Sequence, residues 1–123
     1  MIKRPITNTP LQALAAMNDV QMLEASRHFA ERLMKEGGKT PEARASWAFE
    51  TATSRTPESG ELAALLEIHQ YGFDEFSTEP DKAKSFLGSG ESDRDESLNV
   101  TDHAAWTVVA STILNLDEVL TRN

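Results

Sequence analysis

Apolar residues recur every three to four positions along most of the chain, the spacing of helices that bury one face. The first such stretch, residues 9–18, begins at Thr9-Pro10, a capping residue followed by a proline at the first helical position. It ends at Asn18-Asp19, which can cap a second helix. We therefore predict a rigid elbow between two helices here, and we expect the rest of the chain to be organised around it. Residues 1–8 show no period, which predicts an extended lead-in.

Similar helix starts divide the remaining sequence. The pattern predicts helices over 19–36, over 40–54, from 57 to about 73 or 76, over 80–87 and from 101 to the C-terminus, and a polar surface loop over 91–99. Thr56-Pro57 suggests the third start, although its cap can fall a few residues later, and Gly72 is a weak point or an end of that helix. No strand pattern competes. The predicted fold is all-α, an irregular helical bundle of four main helices plus one or two short ones, with 9–123 as a single domain.

Each long helix has a predicted apolar face. In 19–36 that face comprises Met22, Leu23, Ser26, Phe29, Ala30, Leu33 and Met34, and the polar face comprises Glu24, Arg27, Glu31, Arg32 and Lys35. Trp47 is the predicted anchor of the helix over 40–54. The helix that follows Thr56-Pro57 buries Leu62, Leu65, Leu66, His69 and Phe73. Thr101 is the predicted cap of the last helix, whose apolar stripe comprises Trp106, Val109, Ala110, Ile113, Leu116 and Leu120.

Composition excludes several classes of protein. The 123 residues carry a net charge of -8 and no basic patch, which argues against a nucleic-acid partner. No window is long and apolar enough for a membrane span. The absence of cysteine excludes disulfides, thiolate metal sites, cysteine nucleophiles and covalent haem attachment within this chain. The basic N-terminus lacks the apolar region of a signal peptide, so an export signal would have to lie on sequence outside this chain.

Three histidines and a C-terminal acidic group are the first candidates for chemistry. His28, His69 and His103 could bind a metal only if the fold brought them together, because no two have metal-ligand spacing. We expect His69 to be partly buried and hydrogen-bonded, and the other two to lie at the helix surface. Asp117 and Glu118 are adjacent on a helix and therefore diverge. We expect Asp117 or Asn115 to bond the backbone of the Asn18-Asp19 elbow instead.

Arginines, tryptophans and an acidic run complete the candidates. Arg4 and Arg55 lie beside prolines at turns, where a structural pairing is favoured over anion capture. Trp47 and Trp106 could stack on a sugar, but their apolar stripes favour a core role. Residues 91–96 lack the ligand spacing of a calcium loop and are interpreted as solvated. The sequence therefore predicts no catalytic, cofactor-binding or metal-binding residue and no cofactor in this chain.

Several motifs carry a resemblance to a known family. They comprise Lys3-Arg4-Pro5-Ile6-Thr7-Asn8-Thr9-Pro10-Leu11-Gln12-Ala13-Leu14, Asn18-Asp19, Arg55, Pro57, Glu61-Leu62, Ala83, Gly90-Glu91, Ala105-Trp106-Thr107 and Leu114-Asn115-Leu116-Asp117-Glu118. In these the chain resembles the C-terminal domain of unknown function in large exported planctomycete-type proteins that often carry a cytochrome c domain. Two places depart from the family pattern. Glu58 replaces a threonine or serine cap, and Met17 and Val20 replace leucine and proline.

The resemblance implies a periplasmic or cell-surface location, haem on another domain of the same polypeptide, and a longer domain of which this chain is the C-terminal portion. It supplies no activity. We therefore expect a non-catalytic helical interaction or scaffold module that binds the upstream part of the polypeptide or another domain, with a homodimer through exposed apolar surface as a further possibility. The alternatives are part of an extracellular enzyme or electron-transfer accessory acting on polymers, and a carbohydrate-binding module.

Overall fold

A computed structural model of the chain describes residues 20–88 and 97–116. These ranges contain α1 (Val20–Glu36), α2 (Pro41–Thr53), α3 (Ser59–Thr78), α4 (Pro80–Leu87) and α5 (Val100–Leu114), and no strand. The all-α prediction is therefore confirmed, with four long helices and one short helix. The lead-in 1–8, the predicted helix 9–18 with its elbow, residues 91–96 and Leu120 lie outside the described residues.

The junction between α1 and α2 contains the helix-capping residues that the sequence predicted. The Gly37 amide donates to the Leu33 carbonyl at 2.9 Å, and Gly38 has a left-handed φ of 104°, a conformation that glycine adopts without strain. Thr40 is extended, and its Oγ1 accepts a hydrogen bond from the Ala43 amide at 3.1 Å. Pro41 follows at the first helical position, where its missing N–H costs no hydrogen bond.

The other two long helices begin at caps that differ from the predicted ones. Glu58 precedes the first residue of α3, and its amide donates to Glu61 Oε1 at 2.8 Å. This start lies downstream of Thr56-Pro57, as the sequence allowed. The predicted Thr101 cap of α5 is wrong, because Asn99 Oδ1 accepts from the Asp102 amide at 2.9 Å. Asparagine is at least as good an N-cap as threonine, so α5 begins at Val100, one residue before the expected cap.

The central element of the described fold is α5, which packs against each of the other four helices. The described residues of the predicted stripe, Trp106, Val109, Ala110, Ile113 and Leu116, are buried as expected. Burial is not confined to that stripe, because the buried residues surround the helix: His103, Ala104, Ala105, Trp106, Thr107, Val108, Val109, Ala110, Ser111 and Ile113. A helix that is apolar all round belongs in a core. The sequence carried this signal, because Asp102 is the single Asp, Glu, Lys or Arg residue between Val100 and Leu114.

Gly72 lies inside α3 and marks neither its end nor a break, contrary to one expectation. The helix continues to Thr78. A Cβ atom at Gly72 would lie 3.4 Å from the Ala105 Cα, so glycine and alanine together let the backbones of α3 and α5 approach closely. Ile68, which the predicted face of α3 does not include, is buried on this side. Phe76, which was predicted to extend that face only if the helix continued, is buried there too.

In α2 the predicted anchor, Trp47, is the wrong residue. Phe49 is fully buried, whereas Trp47 is half-buried, with its ring 6.1 Å from the ring of Phe29 on α1. The two aromatic residues are two positions apart and therefore point in different directions on the helix. The core takes Phe49, and Trp47 lies at the rim where α1 and α2 meet.

Candidate functional site

Polar side chains from several helices converge on the first turn of α5. On one side, Asp102 Oδ1 lies 3.0 Å from His69 Nε2 on α3, and Asp102 Oδ2 accepts from Arg44 Nη1 on α2 at 3.4 Å. We call Arg44, His69 and Asp102 the outer polar cluster. Asp102 therefore links three helices through its two carboxylate oxygens.

Arg44 extends the outer polar cluster to a fourth helix. Its Nε donates to the Gly38 carbonyl at 3.0 Å and its Nη2 to the Met34 carbonyl at 3.2 Å. The C-terminal end of α1 presents carbonyls without helical partners and a partial negative charge, both of which favour a guanidinium. The three guanidinium nitrogens of Arg44 thus contact the end of α1, the loop that follows it, and α5.

His69 occupies the position that the sequence predicted, partly buried and hydrogen-bonded. It is 12% exposed, and its ring lies 4.2 Å from the ring of Trp106 and 6.0 Å from that of Phe73. An imidazole held by a carboxylate is also the arrangement of a general base with its orienting group. Among the described residues, however, no hydroxyl group bonds to His69, so the pair has no attached nucleophile there.

On the other side of α5, Arg27 contradicts its predicted place on the polar face of α1. Its side chain is 1% exposed, and Nη1 donates to the Leu87 carbonyl at the end of α4 at 2.8 Å. Its Nη2 lies 4.0 Å from Glu24 Oε2. Periodicity failed at this residue because a long side chain can bury its stem and bond a neighbouring helix end.

His103, predicted at the surface, is fully buried. Its Nε2 lies 3.3 Å from the Arg27 carbonyl oxygen and 3.8 Å from Glu31 Oε2, and Glu31 is 13% exposed. We call Arg27, Glu31 and His103 the inner polar cluster, in which Arg27 contacts His103 through its main-chain carbonyl. His28 is 46% exposed, as predicted, and its Nδ1 lies 3.7 Å from Glu31 Oε1.

The fold does not bring the three histidines to one metal site. His28 and His103 lie on either side of Glu31, whereas His69 bonds Asp102. Within residues 20–88 and 97–116, no group of three histidine or carboxylate side chains is arranged to hold a metal ion.

Arg55 has the structural role that the sequence favoured. Its two terminal nitrogens donate to Glu61 Oε1 and Oε2 at 2.9 and 2.8 Å, and its guanidinium lies 4.8 Å from the Phe49 ring centroid. The bidentate geometry explains why Glu61 is only 8% exposed. This pair closes the turn between α2 and α3, beside a shallow open depression.

The remaining candidates have simpler outcomes. Trp106 is 1% exposed, so a core role is confirmed and a sugar-stacking pair with Trp47 is excluded. Asn115 Nδ2 donates to the Ser111 carbonyl of its own helix at 2.7 Å. Arg4, Asp117, Glu118 and the Asn18-Asp19 elbow lie outside the described residues, so the predicted bond to the elbow stays a prediction.

Comparison with known protein families identifies the family to which the chain belongs. The model of the PSD1 family, described as "Protein of unknown function (DUF1553)", matches residues 1–69, which is more than half of the chain. The chain belongs to the PSD1 family. In this PSD1 protein the match ends within α3, yet the described core also requires α4 and α5. No curated protein and no solved structure matches it. None of the described helices combines the length and hydropathy that crossing a membrane requires.

Proposed function

We propose that this PSD1 chain is a non-catalytic helical scaffold and interaction module. The observation that supports the proposal is that the charged side chains around α5 bond to other helices. Arg44, His69 and Asp102, the group best suited to acid–base chemistry, join α2, α3 and α5 and close the end of α1. Side chains engaged in this way maintain the relative positions of helices, which is the task of a scaffold.

The proposed setting is a larger exported protein. The motifs at Lys3 to Leu14 and at Ala105-Trp106-Thr107 resemble planctomycete-type exported proteins with a cytochrome c domain. On that basis we propose a periplasmic or cell-surface location, with haem carried by another domain of the same polypeptide. The partner of this module would then be the upstream part of that polypeptide or a neighbouring domain.

A second candidate function rests on the contact between His69 and Asp102. An imidazole 3.0 Å from a carboxylate, with 12% of the histidine exposed, has the composition of an acid–base pair. In this alternative the chain supplies one wall of an extracellular enzyme, or of an electron-transfer accessory, that acts on polymers.

One experiment separates the two functions. We would titrate the chain calorimetrically against the separately produced upstream polypeptide and assay the full-length protein on a panel of polysaccharides, with and without His69→Gln. The scaffold predicts saturable binding, and it predicts that His69→Gln lowers the unfolding temperature without abolishing any turnover. Turnover that His69→Gln abolishes while folding is retained, or the absence of binding, contradicts the scaffold.

A further inference from the structure

Two surface patches in different parts of the chain differ in charge, and each contains an aromatic side chain that is half-buried or exposed. The first, which we call the arginine surface, comprises Phe29, Arg32 and Trp47. The guanidinium of Arg32 lies 5.4 Å from the Trp47 ring centroid, and Phe29 lies 6.1 Å from Trp47 on the other helix. Arg32 is 56% exposed, and its contact with Glu36 is a 3.8 Å pair between two exposed side chains. Such a pair is weak enough to be exchanged for a partner's carboxylate.

The second, which we call the acidic surface, lies on the outward side of α3 and comprises Glu67, Tyr71 and Asp74. Tyr71 is the large hydrophobic residue that the described structure exposes most, at 47%. Glu67 and Asp74 lie four positions before and three positions after it, are both exposed, and therefore flank it on one helix face. Helix α3 contains no lysine or arginine that could offset these two carboxylates. Gln70 Nε2 donates to Asp74 Oδ1 at 3.0 Å, and this neutral amide does not offset the charge of that carboxylate.

We infer that the acidic surface of one copy of this chain binds the arginine surface of a second copy. The argument is charge complementarity around an aromatic contact, with Arg32 facing Glu67 and Asp74 while Tyr71 packs beside Trp47. Tryptophan, tyrosine and arginine are the residues most often found at the energetic centres of protein interfaces. Because each copy carries both surfaces, two copies can bind reciprocally, or several can close a ring. The inference rests on the proposed role as an interaction module and names one of its partners.

The test exchanges the charges of the two surfaces. Sedimentation velocity measures the mean mass of the chain as a function of its concentration. Wild-type chain associates, and raising the salt concentration weakens the association. Arg32→Glu raises the dissociation constant at least about tenfold, as does Glu67→Arg with Asp74→Arg, because each variant places like charges face to face. Lys84→Glu on α4, an exposed position outside both surfaces, makes the same charge change as Arg32→Glu and leaves the association unchanged.

Mixing the two variants gives the decisive result. The Arg32→Glu chain has two acidic surfaces and the double variant has two basic ones, so the mixture associates again although each variant alone does not. Circular dichroism confirms that both variants stay folded. A wild-type chain that is monomeric at all concentrations, or a mixture that fails to associate, overturns the inference. If that chain still binds the upstream polypeptide, the proposed function survives and only self-association is lost.

Discussion

The inner and outer polar clusters meet at consecutive residues of α5 but differ in their access to water. In the inner polar cluster Arg27 is 1% exposed and His103 is fully buried. In the outer polar cluster Arg44 and Asp102 retain 20% and 25% exposure. Water and salt weaken a partly exposed ion pair, whereas a buried charge that loses its partner has nothing to replace it. Clusters of similar composition should therefore differ in what they contribute to stability, and the following predictions test that difference.

The largest effect should come from Arg27. Arg27→Ala removes the donor to the Leu87 carbonyl and leaves a gap between α1 and α4, so we expect a loss of about 3–5 kcal/mol in the free energy of unfolding. Urea denaturation measures this loss. Arg32→Ala on the same helix is the matched control at chain concentrations too low for association, because Arg32 is 56% exposed and its removal should then change stability by less than about 0.5 kcal/mol. Equal effects of the two substitutions would mean that burial does not set the cost.

Two histidines beside one carboxylate give a sharper test. His103→Ala removes a fully buried ring and should cost about 2–4 kcal/mol through the cavity and the lost contact with the Arg27 carbonyl. His28→Ala removes a ring that is 46% exposed and should cost less than about 0.5 kcal/mol. Thermal unfolding of the two variants in one buffer makes the comparison. A larger loss for His28→Ala would show that its contact with Glu31 matters more than burial.

The outer polar cluster should respond more mildly. Asp102→Asn keeps the shape and one acceptor but removes the charge that faces Arg44 and His69, so we expect a loss of about 1–2 kcal/mol. The loss should shrink in about 1 M salt, because screening already weakens the native contacts. Denaturation at low and high salt checks both statements. A loss that does not depend on salt would show that the contacts of Asp102 behave like those of the inner polar cluster.

The smallest effect concerns a local contact outside both clusters. Thr40→Ala removes the side-chain oxygen that accepts from the Ala43 amide and should cost about 1 kcal/mol. Thr40→Gly should recover part of that loss, because glycine is tolerated at this position. Thermal unfolding of the pair checks the ranking. Identical stability of the alanine variant and the wild type would show that water replaces the cap.

Local sequence signals predicted the described helices well. Thr40-Pro41 and Pro80 mark helix starts whose chemistry depends on neighbouring residues alone, and the structure has helices at both. Gly37-Gly38 likewise ends α1 where the sequence indicated. Capping and proline effects act over a single turn, so no tertiary information is needed.

Local patterns do not predict the positions of residues whose roles depend on distant partners. Arg27 belongs to the polar half of α1 by periodicity, and its burial follows from the Leu87 carbonyl sixty positions away. Periodicity places His103 at the surface because it predicts a one-sided α5, whereas four helices surround that helix. The low charge of α5 could have corrected this error, but the pairing of His69 with Asp102 had no signal in the sequence.

A double-mutant cycle on His69→Ala and Asp102→Ala tests the central claim most directly. If these side chains serve to join α3 to α5, the free energies of unfolding of the four proteins should yield a stabilising coupling of about 0.5–3 kcal/mol. Strictly additive losses would mean that the contact contributes nothing to the fold. The pair would then need another purpose, and the scaffold account would be contradicted at its main site.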